Sequence, residues 1–300
     1  MKRPWRAAWL AALAVGCAAA HASTSDPASA LRSRYAALGE QLEHNPFQRP
    51  IVLESTQGSG DVKGEVYAVV EHPFATVDAA LKSATRWCEI LMLHLNVKDC
   101  RAADATPTSA LSLSVGKKFD QPAADAHRLD FSYRVATQAS DYLQILMDAD
   151  NGPLGTRDYR IALEAMPLAG SRSFIHLSYA YGFGWAARLA MQGYLSTIGS
   201  GKVGFSVVDR LPDGRPVYIG NMRGVIERNT MRYYLAIDAY LGSLPLPPQE
   251  RIERRLRDWY AATERYPRQL HEMERDDYLA MKRRELQRQQ AETQGLARAP

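Results

Sequence analysis

The sequence has 300 residues, of which 46% are hydrophobic and 23% are charged, with a formal net charge of +4. This composition supplies material for one sizeable core. No basic patch with interleaved aromatic residues indicates nucleic-acid binding, and no run of about 18 apolar residues indicates a membrane-spanning helix.

The first 22 residues have the pattern of a secretory signal peptide. Three basic residues precede an apolar run of 14 over 7–20, which is too short to span a bilayer. The triplet "AHA" before Ser23 is the small-x-small pattern that signal peptidase cuts. We therefore expect export to the periplasm, which lowers the net charge to +1 because the leader carries three basic residues and no acidic one. A lipoprotein anchored through Cys17 is the alternative.

Residues 23–60 are interpreted as an N-terminal arm and linker, because a short helical run is followed by two prolines and the Gly/Ser-rich "TQGSGD". Alternation and β-branched residues predict a strand over 62–72. Apolar residues at helical spacing then predict a helix or a broken helix pair over 74–95, followed by a short strand over 96–102.

Two cysteines, Cys88 and Cys100, remain once the leader is removed. An exported chain meets an oxidising compartment, so this pair is expected to form a disulfide. Closing a loop of about 13 residues predicts a stabilisation of roughly 3 kcal/mol from chain entropy. The alternative is a metal site that adds His94, but no fourth ligand lies nearby in the sequence. We expect neither a metal nor a cofactor.

Four segments alternate between apolar and polar residues, as is typical of an antiparallel sheet with one wet face. They are "ALSLSVGKK", "RLDFSYRVA", "DYLQILMDAD" and "TRDYRIALEA". The run "FIHLSYAYGFG" follows them, and short connections rich in turn residues join the segments. In that last run, Tyr179 and Tyr181 share the apolar face, whereas His176 lies on the polar face and is expected to be solvated.

After Gly184 the period of the apolar residues changes, without a loop, to that of an amphipathic helix over 185–198. A hairpin that turns at "LPDGRP" is predicted within 202–228. A further helix follows over 228–242, and a charged helical tail occupies 244–300.

The order of elements over residues 62–199 resembles the helix-grip fold of the START and polyketide-cyclase (Bet v 1-like) superfamily. Those domains have one strand, two short helices, a six-stranded antiparallel meander and a long helix laid across the sheet. The resemblance implies an α+β fold in which a β-meander of about six to seven strands grips a C-terminal helix. Here that helix is short, and a charged helical extension follows where the family usually stops. The predicted division is 1–22 signal peptide, 23–60 arm and linker, 61–243 helix-grip-like domain and 244–300 tail.

The resemblance also implies a cavity between the sheet and the final helix that holds an apolar ligand. Tyrosines suit its wall, because the ring contacts the ligand and the hydroxyl meets a polar group. Arg157, at a strand start, is placed to meet an anionic head group at the rim. The alternatives are core packing for the tyrosines and Met191, and a surface ion pair with Asp158 or Asp148 for Arg157. The predicted ligand-binding residues are Tyr133, Arg157, Tyr159, Tyr179, Tyr181, Trp185 and Met191.

The favoured function is an exported, periplasmic binding or carrier protein for a lipid or another hydrophobic small molecule, with no catalytic residue assigned. One alternative is a structural or interaction protein of the cell envelope that uses the charged tail. The other is a cyclase- or hydrolase-type enzyme on the same scaffold, for which a cross-strand pair such as Glu164 and His176 is a candidate. No nucleic-acid partner is expected, while transient membrane contact and the oligomeric state stay open.

Overall fold

An antiparallel sheet of eight strands forms the framework of the fold. The computed structural model describes residues 26–103, 109–185, 188, 189, 193 and 201–298. The strands are β1 (Ile51–Gln57), β2 (Asp61–Val70), β3 (Val97–Ala103), β4 (Ser109–Val115), β5 (His127–Ala139), β6 (Tyr142–Asn151), β7 (Thr156–Leu168) and β8 (Arg172–Phe183). Their order is β1-β2-β8-β7-β6-β5-β4-β3, so β3 to β8 form a meander that β2 joins through β8.

Helices flank this sheet, and β9 (Val207–Arg210) and β10 (Pro216–Tyr218) form a separate two-stranded hairpin. The helices are α1 (Pro27–Ala37), α2 (Gly39–Glu43), α3 (Phe74–Leu81), α4 (Ala84–Leu91), α5 (Asn221–Ser243), α6 (Pro248–Thr263), α7 (Pro267–Leu270) and α8 (Arg275–Arg298). One strand, two short helices, six meandering strands and a long helix follow one another from β2 to α5. This is the helix-grip order, so the predicted α+β fold class and the resemblance are confirmed.

Alternation along β5 turns one face of the sheet toward the core. Leu129, Phe131 and Tyr133 are buried. Asp130 and Arg134, which alternate with them along the strand, are exposed. Successive side chains of a strand point to opposite faces, so this pattern fixes which face of the meander packs inward.

In the described part of the chain the helix that covers the sheet is α5, whereas the prediction assigned that role to residues 185–198, most of which lie outside the described residues. α5 contacts β1, β2 and β8 and buries residues such as Ile226, Tyr234 and Ile237. Two residues of the predicted helix, Trp185 and Leu189, are instead 78% and 57% exposed. At 23 residues, α5 is about 35 Å long, which restores the long final helix of the helix-grip fold.

α5 lies unusually close to β2 at Gly64. A Cβ atom at this position would lie 2.4 Å from the Thr230 hydroxyl and 3.1 Å from the Ile226 side chain. A larger residue would therefore push the helix away from the sheet, and glycine is what allows the two backbones to approach.

Glu227 ties the segment between β8 and α5 to the helix. One carboxylate oxygen accepts the backbone N–H groups of Phe205 at 2.6 Å and Ser206 at 2.9 Å. The other accepts the hydroxyls of Ser55 at 2.6 Å and Ser206 at 2.7 Å. Because four donors satisfy this fully buried carboxylate, Glu227 joins β1, α5 and the segment before β9.

The opposite face of the sheet is covered at one end by the N-terminal residues. Leu31 and Leu38 pack with Tyr142, Met166 and Phe174 in a second apolar cluster. The region interpreted as arm and linker thus supplies α1, α2 and β1, while the domain division as a whole stays a prediction. His176 lies on this face and is largely buried, which corrects the expectation that it is solvated.

The C-terminal helices pack against the domain. Trp259 and Tyr278 are buried, and the Tyr278 hydroxyl donates to the Leu93 carbonyl oxygen at 2.9 Å. The Lys282 ammonium donates to the carbonyl oxygens of His94 at 3.2 Å and Val97 at 2.8 Å. The predicted helical extension is therefore confirmed, and α8 holds the backbone of residues 93–97.

A buried ion cluster reinforces this contact. Glu285 accepts hydrogen bonds from Lys98 at 2.9 Å and from Lys282 at 2.5 Å, and all three side chains are fully buried. Removing the carboxylate would leave two buried ammonium groups without their counter-ion, which is strongly unfavourable.

The predicted disulfide between Cys88 and Cys100 is present, with the two Cα atoms 5.3 Å apart. It links α4 to β3 and closes the loop that carries His94. Among the described residues no cluster of three side chains could hold a metal ion. In the same part of the chain no helix is long and apolar enough to cross a membrane.

Candidate functional site

A cavity of about 340 Å³ lies between the sheet and α5. The sheet contributes Tyr159 from β7 and Tyr179, Tyr181 and Phe183 from β8, and α5 contributes residues from Met222 to Tyr233. The lining also includes His94, Asn96, Val115, Lys118 and Leu154. The cavity therefore occupies the place that the helix-grip resemblance implies.

A second space of about 780 Å³ lies between α4, α6 and α8. It is an open groove, and none of the buried polar atoms that lack a partner among the described residues belongs to its lining. The smaller cavity has both an enclosing aromatic wall and such atoms, so it is the stronger candidate site.

Four tyrosines form an aromatic wall. The rings of Tyr159 and Tyr181 stack at 5.3 Å between centroids, and the Tyr233 ring of α5 meets Tyr179 edge-on at 5.4 Å. The Tyr159 hydroxyl lies 2.7 Å from Thr156 Oγ1, which in turn donates to the Pro153 carbonyl oxygen.

The hydroxyls of the other three tyrosines in this wall differ from that of Tyr159. In the described part of the chain, no hydrogen bond is made by the hydroxyls of Tyr179, Tyr181 and Tyr233. Burial raises the pKa of each of the three above its ordinary value, so all three stay protonated at neutral pH. They are neutral hydrogen-bond donors set among ring faces.

His94 brings a further neutral donor to the cavity. The side chain is 97% buried, and its Nδ1 atom accepts the Asn96 backbone N–H at 3.2 Å. Burial, and then the positive charges of Arg232 and Lys118, lower the pKa of His94 well below its ordinary value. The neutral ring therefore carries its proton on Nε2, and this atom has no hydrogen-bond partner among the described residues.

The same side of the cavity is positively charged. Arg232 is 1% exposed and donates to the Glu272 carboxylate at 2.8 Å, and Lys118 and Lys202 pair with the same carboxylate. Burial alone would raise the pKa of Glu272, but Arg232 and Lys118 hold it at about 2. Burial and the charge of Arg232 together lower the pKa of Lys118 to about 7.

The structure separates the predicted ligand-binding residues into two groups. Tyr159, Tyr179 and Tyr181 line the cavity, and their contact with a ligand stays a prediction. Tyr133 is buried in the core instead, where its hydroxyl donates to the Leu81 carbonyl oxygen at 2.9 Å. Its position agrees with the alternative of core packing.

The remaining predicted residues do not line the described cavity. Arg157 is mostly exposed and pairs with Asp158 at 3.1 Å, as the alternative interpretation had it. Trp185 is exposed at the surface. Met191 lies outside the described residues.

Sequence reasoning missed His94, Lys118 and Arg232 as cavity residues. His94 interrupts an otherwise apolar run inside the disulfide loop, which was a signal for a buried polar role. Arg232 lies within the apolar pattern of α5, but residues 228–242 were not connected with the sheet. Lys118 follows β4 and has no local pattern that marks it.

No protein-family model matches the sequence, and no curated protein matches it. Solved structures with a similar fold include norcoclaurine synthase from Thalictrum flavum, at 10% identity and a TM-score of 0.33, covering 50% of this chain and 82% of that one. ZhuI aromatase/cyclase from Streptomyces sp. R1128 has 9% identity and a TM-score of 0.34, with 50% and 88% covered. Human StAR-related lipid transfer protein 5 has 10% identity and a TM-score of 0.32, with 56% and 89% covered. The assignment of the helix-grip fold rests on the strand order of this chain.

Proposed function

We propose that this protein binds a hydrophobic, ring-containing small molecule in the cavity between the sheet and α5. The observation that carries the proposal is the aromatic wall, in which Tyr159, Tyr179, Tyr181 and Tyr233 together line the cavity. Protein interiors are normally filled to crystal-like density. A cavity of about 340 Å³ falls within the range of small-molecule sites, which begins at roughly 300 Å³.

The wall favours flat, compact ligands over long acyl chains. Stacked and edge-on rings present planar apolar surface to a ligand, and their hydroxyls offer hydrogen bonds to its substituents. Burying roughly 300 Å² of apolar ligand surface would contribute about 7 kcal/mol before the loss of translational and rotational freedom is subtracted. A wholly saturated chain would leave the buried donors unpaired, at a cost of about 1–3 kcal/mol each.

An enzyme of the cyclase or hydrolase type is the second candidate, because His94 and Lys118 are titratable groups that line the cavity. Binding without chemistry is preferred for two reasons. The lowered pKa of His94 makes it a weak base, and the Lys118 ammonium is already paired with Glu272. Incubating a bound ligand with the protein and measuring its mass would decide between them, since a carrier returns it unchanged.

We also propose that the chain acts outside the cytoplasm. The N-terminal 22 residues support this through their signal-peptide pattern, and the Cys88–Cys100 disulfide is of the kind that persists in oxidising compartments. Mass spectrometry of the protein from its native cell is expected to find a chain that begins at Ser23 with both thiols oxidised. A chain with an intact leader and free thiols would overturn this proposal.

The binding proposal is tested with a neutral fluorescent probe, N-phenyl-1-naphthylamine. We expect saturable binding to the purified chain and at least about a tenfold loss of affinity in Val225→Trp, which adds volume to a residue of α5 that lines the cavity. The matched control is Val208→Trp, the same substitution at a 55% exposed residue outside the lining. Equal affinity in both variants would place the probe elsewhere and overturn the proposal.

A further inference from the structure

We propose that the ligand carries an anionic group and that Lys118 and His94 hold it at one end of the cavity. This inference rests on the proposed function and specifies the chemical class of the ligand. It predicts an aromatic acid, such as a carboxylate or sulfonate on a ring system, in preference to the neutral molecule of the same shape.

The charge of the lining is the first support. Among the described residues, three cationic side chains line the cavity, Lys118, Arg228 and Arg232, and no aspartate or glutamate does. A lining whose charged side chains are all of one sign favours a ligand of the other sign, and Lys118 is the lysine among them.

The Glu272 carboxylate, which pairs with Lys118, is shared among several cations. Glu272 accepts ion pairs from Lys118, Lys202 and Arg232 together, so one negative charge serves three positive ones. An anion at the end of the cavity would complete this cluster, because Lys118 and Arg232 face both Glu272 and the cavity.

His94 is the second, independent support. It is 97% buried, and Nε2 is a donor in the tautomer set by the Asn96 N–H, with no hydrogen-bond partner among the described residues. A buried donor without a partner in a ligand-sized cavity is satisfied by an acceptor on the ligand. The unpaired Asn96 Oδ1 is an acceptor and would take a water or a ligand hydroxyl.

Lys202 provides the internal control. It pairs with the Glu272 carboxylate as Lys118 does, yet it does not line the cavity. If the lysines served only to neutralise Glu272, replacing either one would have the same effect on a ligand. If Lys118 binds the ligand, only its replacement matters.

Two probes with the same ring system test the proposal, 1-anilinonaphthalene-8-sulfonate and the neutral N-phenyl-1-naphthylamine. We expect the purified chain to bind the sulfonate about tenfold more tightly, as one charge-assisted hydrogen bond would give. Lys118→Met is expected to remove most of this preference, which is measured as the ratio of the two affinities within the same variant. Lys202→Met is expected to keep the preference.

The outcomes separate the inference from the proposed function. If the neutral probe does not bind, the proposed function fails. If the neutral probe binds but the sulfonate binds no more tightly, the function stands and the inference is overturned. Equal losses in Lys118→Met and Lys202→Met would also overturn it, because the effect would then pass through Glu272.

A measurement on the unaltered chain keeps the inference falsifiable where a variant does not fold. Naphthalene-2-carboxylate and its neutral amide compete with N-phenyl-1-naphthylamine for the cavity. The carboxylate is expected to compete about tenfold more strongly. An amide that competes equally well would overturn the inference.

Discussion

Two histidines on opposite faces of one sheet have pKa values that are shifted in opposite directions. On the cavity side, His94 lies among Arg232, Lys118 and two further lysines, and its pKa is lowered well below the ordinary value. On the other face, His176 lies between two carboxylates, Glu164 at 2.7 Å and Glu65 at 3.0 Å.

Burial alone would lower the pKa of His176 as well, but hydrogen bonds to Glu164 and Glu65 raise it above its ordinary value. Burial opposes ionisation of both histidines, and their neighbours decide the result. A neutral donor without a partner can serve a ligand, whereas an ion with two partners is committed to structure. This contrast favours the cavity face as the site of the proposed function, although the larger hydrogen-bond cluster lies on the opposite face.

The ion cluster on the far face includes aromatic side chains. The Tyr67 ring stacks on His176 at 4.3 Å, and the Tyr142 hydroxyl donates to Glu164 at 2.5 Å. This cluster contains the cross-strand pair of Glu164 and His176 that the sequence offered as an acid–base candidate. Because the members of this cluster form hydrogen bonds with one another, the cluster is assigned a role in holding β2, β7 and β8 together.

Among the predicted changes in the free energy of unfolding, the largest is expected from His176→Ala. The substitution leaves Glu65 and Glu164 largely buried and facing each other without the imidazolium between them, so the free energy of unfolding should fall by about 3 kcal/mol. Urea unfolding measures it. His127→Ala, at an exposed position on β5, is the control and should change little. A loss below about 1 kcal/mol for His176→Ala would contradict a structural role for the cluster.

Reducing the disulfide should have the next largest effect, and it acts on the cavity side. Cys88 and Cys100 close the loop that carries His94, whereas His176 lies within a strand that is paired on both sides. We expect a loss of about 2 kcal/mol in the free energy of unfolding on reduction, since measured losses often fall below the chain-entropy value.

The Cys88→Ala/Cys100→Ala variant is the control, and it should match the reduced protein and not respond to reductant. Probe binding is expected to weaken in both, because the loop presents His94 to the cavity. Unchanged binding in a folded, reduced protein would show that the loop needs no covalent closure.

The smallest effect is the pH dependence of stability, which should have opposite signs for the two histidines. The raised pKa of His176 gives a contribution to stability that is complete below pH 6.5 and is lost as the pH rises through the folded value. The lowered pKa of His94 gives a contribution that is present above pH 6.5 and is lost as the pH falls. The lowered pKa of Glu65, about 2, keeps its own contribution complete above pH 4.5.

Gln variants of the two histidines measure this difference by urea unfolding at about pH 5.5 and pH 8.5. The stability lost in His176→Gln should be larger at the lower pH. The difference between the original chain and His94→Gln should be larger at the higher pH. Slopes of the same sign in both variants would contradict the assigned charge states.

The sequence predicted the meander and the disulfide because both leave local signals. Strict alternation marks β5 to β8, and two cysteines left in a chain that is expected to be exported have one intramolecular partner each. The same alternation placed Tyr159, Tyr179 and Tyr181 on one face of the sheet, where they line the cavity.

The covering helix was missed because α5 lacks a clear amphipathic pattern. It buries Glu227, Arg228 and Arg232 along with its apolar residues. In the sequence these charged positions indicate a solvent-exposed face, but in the structure they are buried. The amphipathic period at 185–198 was the stronger signal, and it directed the prediction of the covering helix to that segment. The expectation that His176 is solvated failed because alternation shows on which face of the sheet a residue lies, but not what covers that face.

The contact of α8 with residues 93–97 has a consequence for the order of events during biosynthesis. Lys98 and the carbonyl groups of Leu93, His94 and Val97 obtain their partners from Tyr278, Lys282 and Glu285, which follow every strand of the sheet in the chain. Until these residues are made, the turn that bears His94 lacks its support, even though every strand of the sheet has been synthesised. The cavity is thus completed later than the sheet, and a chain that stops before Arg275 would form the sheet without a finished cavity.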